Sequence, residues 1–194
     1  MGITLKRVFL DIETTGLSFY NPRNIVIGYA LLVEENDEEK ELTIEIIRHQ
    51  DEEGEMLSSL VKKIEEIKPD EIVTYNGSFF DIPFILVRSW MNGVNASVFY
   101  RLKHVDVYLV VKEDVSLPRK SLDYVAWSLG YSSFEYPIKS MRMPQIWVGL
   151  TEGLRDEYEH YIRERLRYDV KALRYVYHIL IREAAGGGKV RRRS

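Results

Sequence analysis

The sequence predicts a single α/β domain built on a mixed β-sheet with flanking helices. Three observations lead to this fold class. Three strand-like segments follow one another near the N-terminus, as the strands of an antiparallel meander do. Helical and strand-like segments then alternate, which is typical of strands that run parallel. A chain of 194 residues with 45% hydrophobic composition is also large enough to bury one sizeable core.

The first part of the chain carries the three meander strands. Residues 5–11 are apolar and rich in branched or aromatic side chains, which predicts a buried strand. Residues 24–33 predict a second strand, and residues 41–48 alternate polar and apolar side chains as a half-exposed strand does. The acidic stretch 34–40 lies between the last two strands and predicts the turn of a hairpin.

The middle of the chain alternates helix and strand. Apolar residues recur at helical spacing over residues 56–67, and this pattern ends before Pro69. Residues 71–75 predict a short buried strand. A helix is predicted from residue 81 to residue 92, with Pro83 in its first turn.

The last part of the chain completes the domain. Residues 104–109 predict a strand, and residues 121–129 predict an amphipathic helix. A long helix is predicted over residues 151–185, where a run of glycines follows it. We therefore expect one domain over residues 1–185, followed by a Gly-rich linker and basic tail over residues 186–194.

The amino-acid composition excludes some classes of protein. No apolar run approaches the roughly 20 residues that a membrane-spanning helix needs, so no membrane partner is expected. The chain has no cysteine, which excludes disulfides and fits a reducing cytoplasm. A charged content of 29% and an aromatic content of 12% are typical of a soluble globular protein.

Four carboxylates stand in three segments that the fold could bring together. Asp11 and Glu13 end the first predicted strand, Asp81 begins a helix and Asp169 lies in the C-terminal helix. Residues two apart in a strand point to the same face, so Asp11 and Glu13 should be neighbours. Oxygen ligands without cysteine suit Mg²⁺ or Mn²⁺. The alternative is that each is an ordinary surface acid.

The segments that contain these residues resemble a known family. Residues 11–16 (Asp-Ile-Glu-Thr-Thr-Gly) and residues 75–84 (Tyr-Asn-Gly-Ser-Phe-Phe-Asp-Ile-Pro-Phe) resemble the first two exonuclease motifs of the DEDD superfamily of 3′–5′ exonucleases. The second motif is similar to that of proofreading domains in family-B DNA polymerases and their stand-alone relatives. The resemblance covers residues 5–182 and implies an RNase H-like fold.

The resemblance also implies a reaction and its cofactors. Asp11, Glu13, Asp81 and Asp169 would hold two divalent cations, Mg²⁺ or Mn²⁺. Asp11 would bridge both ions, while Glu13 and Asp169 would favour one and Asp81 the other. The ions would activate water and stabilise the departing 3′ oxygen during hydrolysis of a phosphodiester. The implied substrate is single-stranded nucleic acid, with DNA favoured over RNA, and the implied setting is DNA repair in the cytoplasm.

The C-terminal helix departs from the family pattern. Family members place a Tyr four residues before the last Asp, or a His five residues before it, to orient the attacking water. Here those positions hold Arg165 and Glu164. Tyr168 is adjacent to Asp169 but lies about 100° from it around a regular helix. Arg165 cannot be a base, yet it could hold the scissile phosphate. Arg165 and Tyr168 are therefore both candidate catalytic residues.

Candidate substrate-binding residues flank the motifs. In similar exonucleases the turn after the first motif meets the terminal nucleotide, and an apolar side chain wedges against its base. Residues of the second motif could contact the strand, and a later lysine could contact a phosphate. The candidates are Thr14, Thr15, Gly16, Leu17, Asn76, Phe80 and Lys120.

Two other classes of function stay open from sequence alone. The chain could be a catalytically weak or inactive nuclease-fold module that binds nucleic acid or a partner protein, which the missing Tyr or His would favour. It could also be an endonuclease or a hydrolase of small nucleotides that uses the same metal site.

Overall fold

The structure is a computed structural model that describes residues 5–131, residue 147 and residues 152–182. Its five strands form one mixed sheet in the order β3-β2-β1-β4-β5. The strands are β1 (Lys6–Thr14), β2 (Val26–Glu35), β3 (Glu38–Ile46), β4 (Glu71–Thr74) and β5 (Lys103–Asp106). Strands β1 to β3 pair antiparallel, whereas β4 and β5 join in parallel. The predicted mixed sheet with its antiparallel meander is confirmed.

Five α-helices flank this sheet in the described residues. They are α1 (Glu53–Ile67), α2 (Asp81–Met91), α3 (Val107–Asp114), α4 (Leu122–Ser128) and α5 (Glu152–Tyr177). Short 3₁₀ turns occupy Gln50–Glu52 and Ser97–Tyr100, and α5 continues as a π-helical turn over His178–Arg182. Within the described ranges, no helix is both long and apolar enough to cross a membrane.

The core lies on both faces of the central strands. Every residue of β2 from Val26 to Glu34 is buried, which requires a covering layer on each face because strand side chains alternate. Helix α5 packs across β1, β2 and β3, and α1 and α2 pack against β2. Gly28 of β2 lies where both β3 and α5 are close, because a Cβ there would lie 3.0 Å from the carbonyl oxygen of Glu45 and 3.2 Å from Cδ1 of Leu166. A side chain at this position would crowd both neighbours.

Most predicted bounds differ from the observed ones by a few residues: β1, predicted over residues 5–11, runs to Thr14, and the α-helix predicted over residues 151–185 ends at Tyr177. Two further differences have a clear local cause. The strand predicted over residues 104–109 ends at Asp106, because the Asp106 side chain accepts from the backbone N–H of Tyr108 and caps α3. The turn predicted over residues 34–40 is confined to Asn36 and Asp37, which both adopt left-handed φ angles, of 50° and 70°. The acidic residues around it belong to β2 and β3. The predicted tail, residues 186–194, lies outside the described residues.

The loop between β4 and α2 is held by Asp106, which receives backbone N–H groups from Asn76 at 2.7 Å and Ser78 at 2.9 Å. Asn76 is left-handed, with a φ of 64°. A Cβ on Gly77 would collide with the buried side chain of Thr74. This tight loop determines where α2 begins, and hence where Asp81 lies.

Replacing Gly77 with alanine should therefore destabilise the domain by about 1–3 kcal/mol, since Thr74 is buried and has little room to move. Gly153→Ala is the matched control, because nothing lies within 4 Å of a Cβ at this exposed helical position. It should stabilise α5 by about 0.5–1 kcal/mol. Urea unfolding of both variants measures the difference, and equal free energies of unfolding for the two variants would contradict the close approach at Gly77.

Candidate metal centre

The four carboxylates singled out from the sequence meet where β1, α2 and α5 come together. Asp11 and Glu13 share one face of β1, and one carboxylate oxygen of each lies within 4.8 Å of the other and of an Asp169 oxygen. Asp81, the first residue of α2, lies beside this group and accepts the backbone N–H of Ile12 at 3.2 Å. The fold therefore gathers all three segments at one place, as the sequence predicted.

The electrostatics of the cluster are unfavourable without a cation. Burial, and then repulsion from Asp169, Asp81 and Glu13, raises the pKa of Asp11 well above its usual range. Burial likewise raises the pKa of Asp169 strongly, and it raises the pKa of Glu13 to about 7 and that of Asp81 to about 7. Carboxyl groups withheld from water and close to one another resist ionisation together.

The donor set fits a hard divalent cation. Asp169 is only 4% exposed, and its Oδ1 is buried without a hydrogen-bond partner among the described residues. Leaving a buried carboxylate oxygen unpartnered is costly, so such an atom indicates a missing ligand. All four candidate ligands are carboxylates, which suits Mg²⁺ or Mn²⁺.

Arg165 lies at the edge of this cluster, one helical turn before Asp169. Its Nε is 2.6 Å from Oδ2 of Asp169 and 4.0 Å from Oε1 of Glu13. Its Nη2 is 3.5 Å from Oδ1 of Asp123 in α4. Burial alone would lower the pKa of Arg165, but the charges of Asp169, Asp123 and Glu13 raise it, so the group stays protonated. Asp123 was not among the residues predicted from the sequence.

Tyr168, the other candidate on α5, packs into the core. Its side chain is buried, and its ring meets that of Tyr131 edge-on with 5.8 Å between centroids. Burial, followed by the charges of Asp123 and Asp169, raises the pKa of Tyr168 to about 12. The phenol therefore keeps its proton at neutral pH and cannot act as a general base there.

Comparison with known proteins assigns the fold to a family. Residues 8–181 match the sequence model of the RNase H superfamily. The chain belongs to the RNase H superfamily. The RNase H-like fold implied by the sequence motifs is thereby confirmed.

Similarity to DNA polymerases covers a part of their length. The chain is 36% identical over 106 residues to the DNA polymerase epsilon catalytic subunit of Schizosaccharomyces pombe, which covers 46% of this chain and 5% of that protein. It is 30% identical over 145 residues to DNA polymerase 1 of Pyrococcus abyssi, which covers 60% of this chain and 18% of that protein. The chain spans less than a fifth of either relative.

A solved structure shares the fold of this RNase H superfamily member. The family B DNA polymerase from Pyrobaculum calidifontis superposes with a TM-score of 0.73 and 20% sequence identity. The match covers 91% of this chain and 24% of the polymerase. Nearly the whole domain therefore corresponds in fold to one portion of a larger enzyme.

The last residue of β1 and the turn after it contain four of the predicted substrate-binding residues. The hydroxyl of Thr14 donates to the carbonyl of Gly16 at 2.8 Å, and the hydroxyl of Thr15 accepts the backbone N–H of Ile25 at 2.8 Å. These two side chains therefore hold the turn itself. Leu17 is 80% exposed, so its apolar side chain is accessible to a partner. Of the four, Leu17 remains the candidate to contact a base.

The remaining substrate candidates are Asn76, Phe80 and Lys120. Asn76 donates its backbone N–H to Asp106, and the Phe80 ring packs on Phe84 with 5.4 Å between centroids. Lys120 donates its ammonium to the carbonyl of Lys112 at 2.6 Å. Each of these three contacts contributes to the structure of the domain, and the Asn76 side chain and the edge of the Phe80 ring are the parts that remain for a substrate.

The raised carboxyl pKa values predict how the metal-free domain responds to pH. Glu13 and Asp81 bind protons more tightly when folded (pKa about 7 for each) than at their usual values of 4.5 and 3.8. Their contribution to stability is therefore complete below about pH 4 and is lost as the pH rises through 7. In EDTA, the free energy of unfolding should fall over this window by on the order of 3 kcal/mol per group.

Thermal melts of the EDTA-treated domain between pH 4.5 and pH 8 measure this loss. Glu13→Gln and Asp81→Asn should each flatten the decline, because each removes one of the groups that titrate. Glu113→Gln, at an exposed position of α3, is the control and should leave the slope unchanged. A wild-type melting temperature that rises steadily over the window would contradict the pKa assignments.

Proposed function

We propose that this RNase H superfamily domain is a metal-dependent 3′–5′ exonuclease that hydrolyses phosphodiester bonds of single-stranded nucleic acid. The observation that carries the proposal is the cluster of Asp11, Glu13 and Asp169, with Asp81 beside it and one buried Asp169 oxygen unpartnered among the described residues. A surface acid has no need of such an arrangement, whereas phosphodiester hydrolysis by metal ions requires it.

Four residues would hold the cofactor in the working complex with substrate. Asp11, Glu13, Asp81 and Asp169 are the ligands we assign to two divalent cations, Mg²⁺ or Mn²⁺. When bound, such ions lower the pKa of the attacking water and stabilise the departing 3′ oxygen. By resemblance to the DEDD exonucleases, Asp11 would be the ligand shared by the two ions.

Arg165 is proposed to hold the scissile phosphate. Its Nε is buried and has no aligned hydrogen-bond acceptor among the described residues, although it forms a close ion pair with Asp169. A guanidinium at the edge of the centre suits a non-bridging phosphate oxygen, which would compete with Asp169 for it. Neither Arg165 nor Tyr168 can take a proton from water at neutral pH, so neither is assigned as the base.

The substrate is assigned from the surroundings of the centre and from the relatives. Asp81 and Asp169 are buried and Asp11 and Glu13 are half-buried, so a frayed single strand would reach them more readily than a duplex. The exposed Leu17 suits the role of a wedge against the terminal base. The relatives are DNA polymerases, which favours DNA over RNA and a role in DNA repair. The absence of cysteine fits a reducing cytoplasm. We assign this activity to residues 1–185, with residues 186–194 as linker and tail.

A second function is favoured by one observation. Arg165 stands where similar exonucleases have a water-orienting tyrosine, and it already forms ion pairs with Asp169 and Glu13. A positive charge that neutralises the ligands suits a module that binds nucleic acid without cleaving it. An endonuclease would use the same carboxylates, and a circular substrate separates that activity from an exonuclease.

The activity can be tested on 5′-labelled single-stranded DNA with Mg²⁺, Mn²⁺ or EDTA. We expect a ladder that shortens from the 3′ end, needs a metal and is blocked by a 3′-phosphate. Asp11→Asn should lower the rate by at least about 100-fold, because loss of even an indirect metal partner costs about 10–100-fold. Glu113→Gln, on the exposed surface of α3, should cleave at the wild-type rate.

Three outcomes would redirect the assignment. Strand binding without cleavage in either metal would support the binding module in place of the enzyme. Cleavage of circular single-stranded DNA would support the endonuclease. Cleavage that persists in Asp11→Asn at the wild-type rate would place the activity outside this cluster.

A further inference from the structure

Asp123 of α4 faces the guanidinium of Arg165 with both of its carboxylate oxygens. Nη1 of Arg165 lies 3.5 Å from Oδ2 of Asp123, and Nη2 lies 3.5 Å from Oδ1. Two parallel contacts of this kind restrain the plane of a guanidinium as well as its position. Asp123 therefore holds the terminal edge of the Arg165 side chain.

The helix that carries Asp123 is fixed to the core. The neighbouring α4 residues Leu122, Val125 and Ala126 are buried, and α4 packs against α5. The Asp123 side chain is 42% exposed and that of Arg165 is 19% exposed. An ion pair with one partner so accessible to water contributes little to the stability of a fold. What the contact supplies is orientation of the guanidinium.

The opposite edge of the guanidinium faces the carboxylate centre. Nε of Arg165 lies 2.6 Å from Oδ2 of Asp169 and 4.0 Å from Oε1 of Glu13. Its N–H is nevertheless buried and directed at no acceptor among the described residues. A buried donor without an acceptor is costly. Its position at the edge of the centre suits an oxygen that the substrate supplies.

We infer that Asp123 is a positioning residue, which holds the terminal nitrogens of Arg165 so that the Nε–H donates to a non-bridging oxygen of the scissile phosphate. The inference rests on the proposed exonuclease function and on the phosphate-holding role of Arg165. Asp123 itself would touch neither the substrate nor a cation. When Asp169 and Glu13 serve as ligands, Asp123 would keep the guanidinium at the edge of the centre.

A purely electrostatic effect of Asp123 would have the opposite sign. A carboxylate beside the site repels a polyanion, so its removal alone would tighten binding of the strand and would not lower the rate. Loss of positioning lowers kcat, because a donor aimed at the phosphate acts most strongly when charge develops there in the transition state. The direction of the change in kcat therefore separates the two explanations.

The kinetic test measures kcat and KM on 5′-labelled single-stranded DNA with Mn²⁺. Asp123→Asn should lower kcat by at least about 10-fold without raising KM. Asp123→Glu should keep most of the wild-type kcat, because it retains the charge that pairs with Arg165. Asp114→Asn is the matched control, since it removes a carboxylate at the exposed end of α3 and should leave kcat unchanged.

A double-mutant cycle then shows whether Asp123 acts through Arg165. In the Arg165→Gln background, Asp123→Asn should cause no further loss of kcat. A role of Asp123 in the first turn of α4 alone would persist in that background. Circular dichroism melts report whether each variant is folded. If Asp123→Asn does not fold, Asp123→Ser takes its place, because serine is tolerated at the start of a helix.

Nuclear magnetic resonance of the arginine side chains supplies a readout that needs neither metal nor cleavage. The Nε–H signal of Arg165 is assigned by its absence from the spectrum of Arg165→Lys. In the wild-type domain this signal should be visible, because the guanidinium is held. In Asp123→Asn it should be lost through exchange with water.

Three results would overturn the inference while the proposed function stands. They are a folded Asp123→Asn that cleaves with the wild-type kcat, an equal loss of kcat in the Arg165→Gln background, and an Nε–H signal that Asp123→Asn leaves unchanged. If the wild-type domain cleaves no strand with Mg²⁺ or Mn²⁺, the proposed function fails and the inference fails with it.

Discussion

Four carboxylates withdrawn from water and held against one another are the constraint on which the rest of this domain depends. Asp11 and Glu13 come from β1, Asp81 from α2 and Asp169 from α5, so three elements must pack together against the repulsion among their own side chains. An isolated strand or helix would not hold such a cluster. The packing of apolar residues on both faces of the sheet supplies the free energy that offsets the repulsion among the carboxylates.

The C-terminal end of α5, beginning about one turn beyond Asp169, is fastened to the sheet. Glu34 of β2 is fully buried and is paired with Arg174 at 2.6 Å, His178 at 2.7 Å and Arg7 at 3.0 Å. Burial alone would raise the pKa of Glu34, but these partners lower it to about 2. Removing one partner of a buried ion pair leaves the other charge buried and uncompensated, which strongly destabilises the fold. The attractive network at one end of α5 therefore holds Asp169 in place within the repulsive cluster.

Sequence patterns predicted what depends on local periodicity. The period of two in β1 placed Asp11 and Glu13 on one face, and the position of Asp81 at the start of a helix followed from the proline two residues later. Sequence patterns gave wrong or missing predictions where a side chain from a different element determines the local structure. Asp106 ends β5 by capping α3, and Asp123 reaches Arg165 from α4 across 42 residues of sequence. Neither contact leaves a periodic signal along the chain.

The change from a phenol to a guanidinium four residues before Asp169 alters what this position can do. A phenol oxygen can both accept and donate a hydrogen bond, so it can orient a water molecule. A guanidinium only donates and keeps its charge, so it acts on anions: the carboxylates when the centre is free, and a phosphate when substrate arrives. Because Asp169 and Glu13 contact Arg165 in the free domain, substrate phosphate must compete with them. If Asp11 and Asp169 hold a cation as proposed, that cation would weaken those ion pairs and free the guanidinium for a phosphate. Under the proposed function, metal binding and phosphate binding would then be coupled through this one side chain.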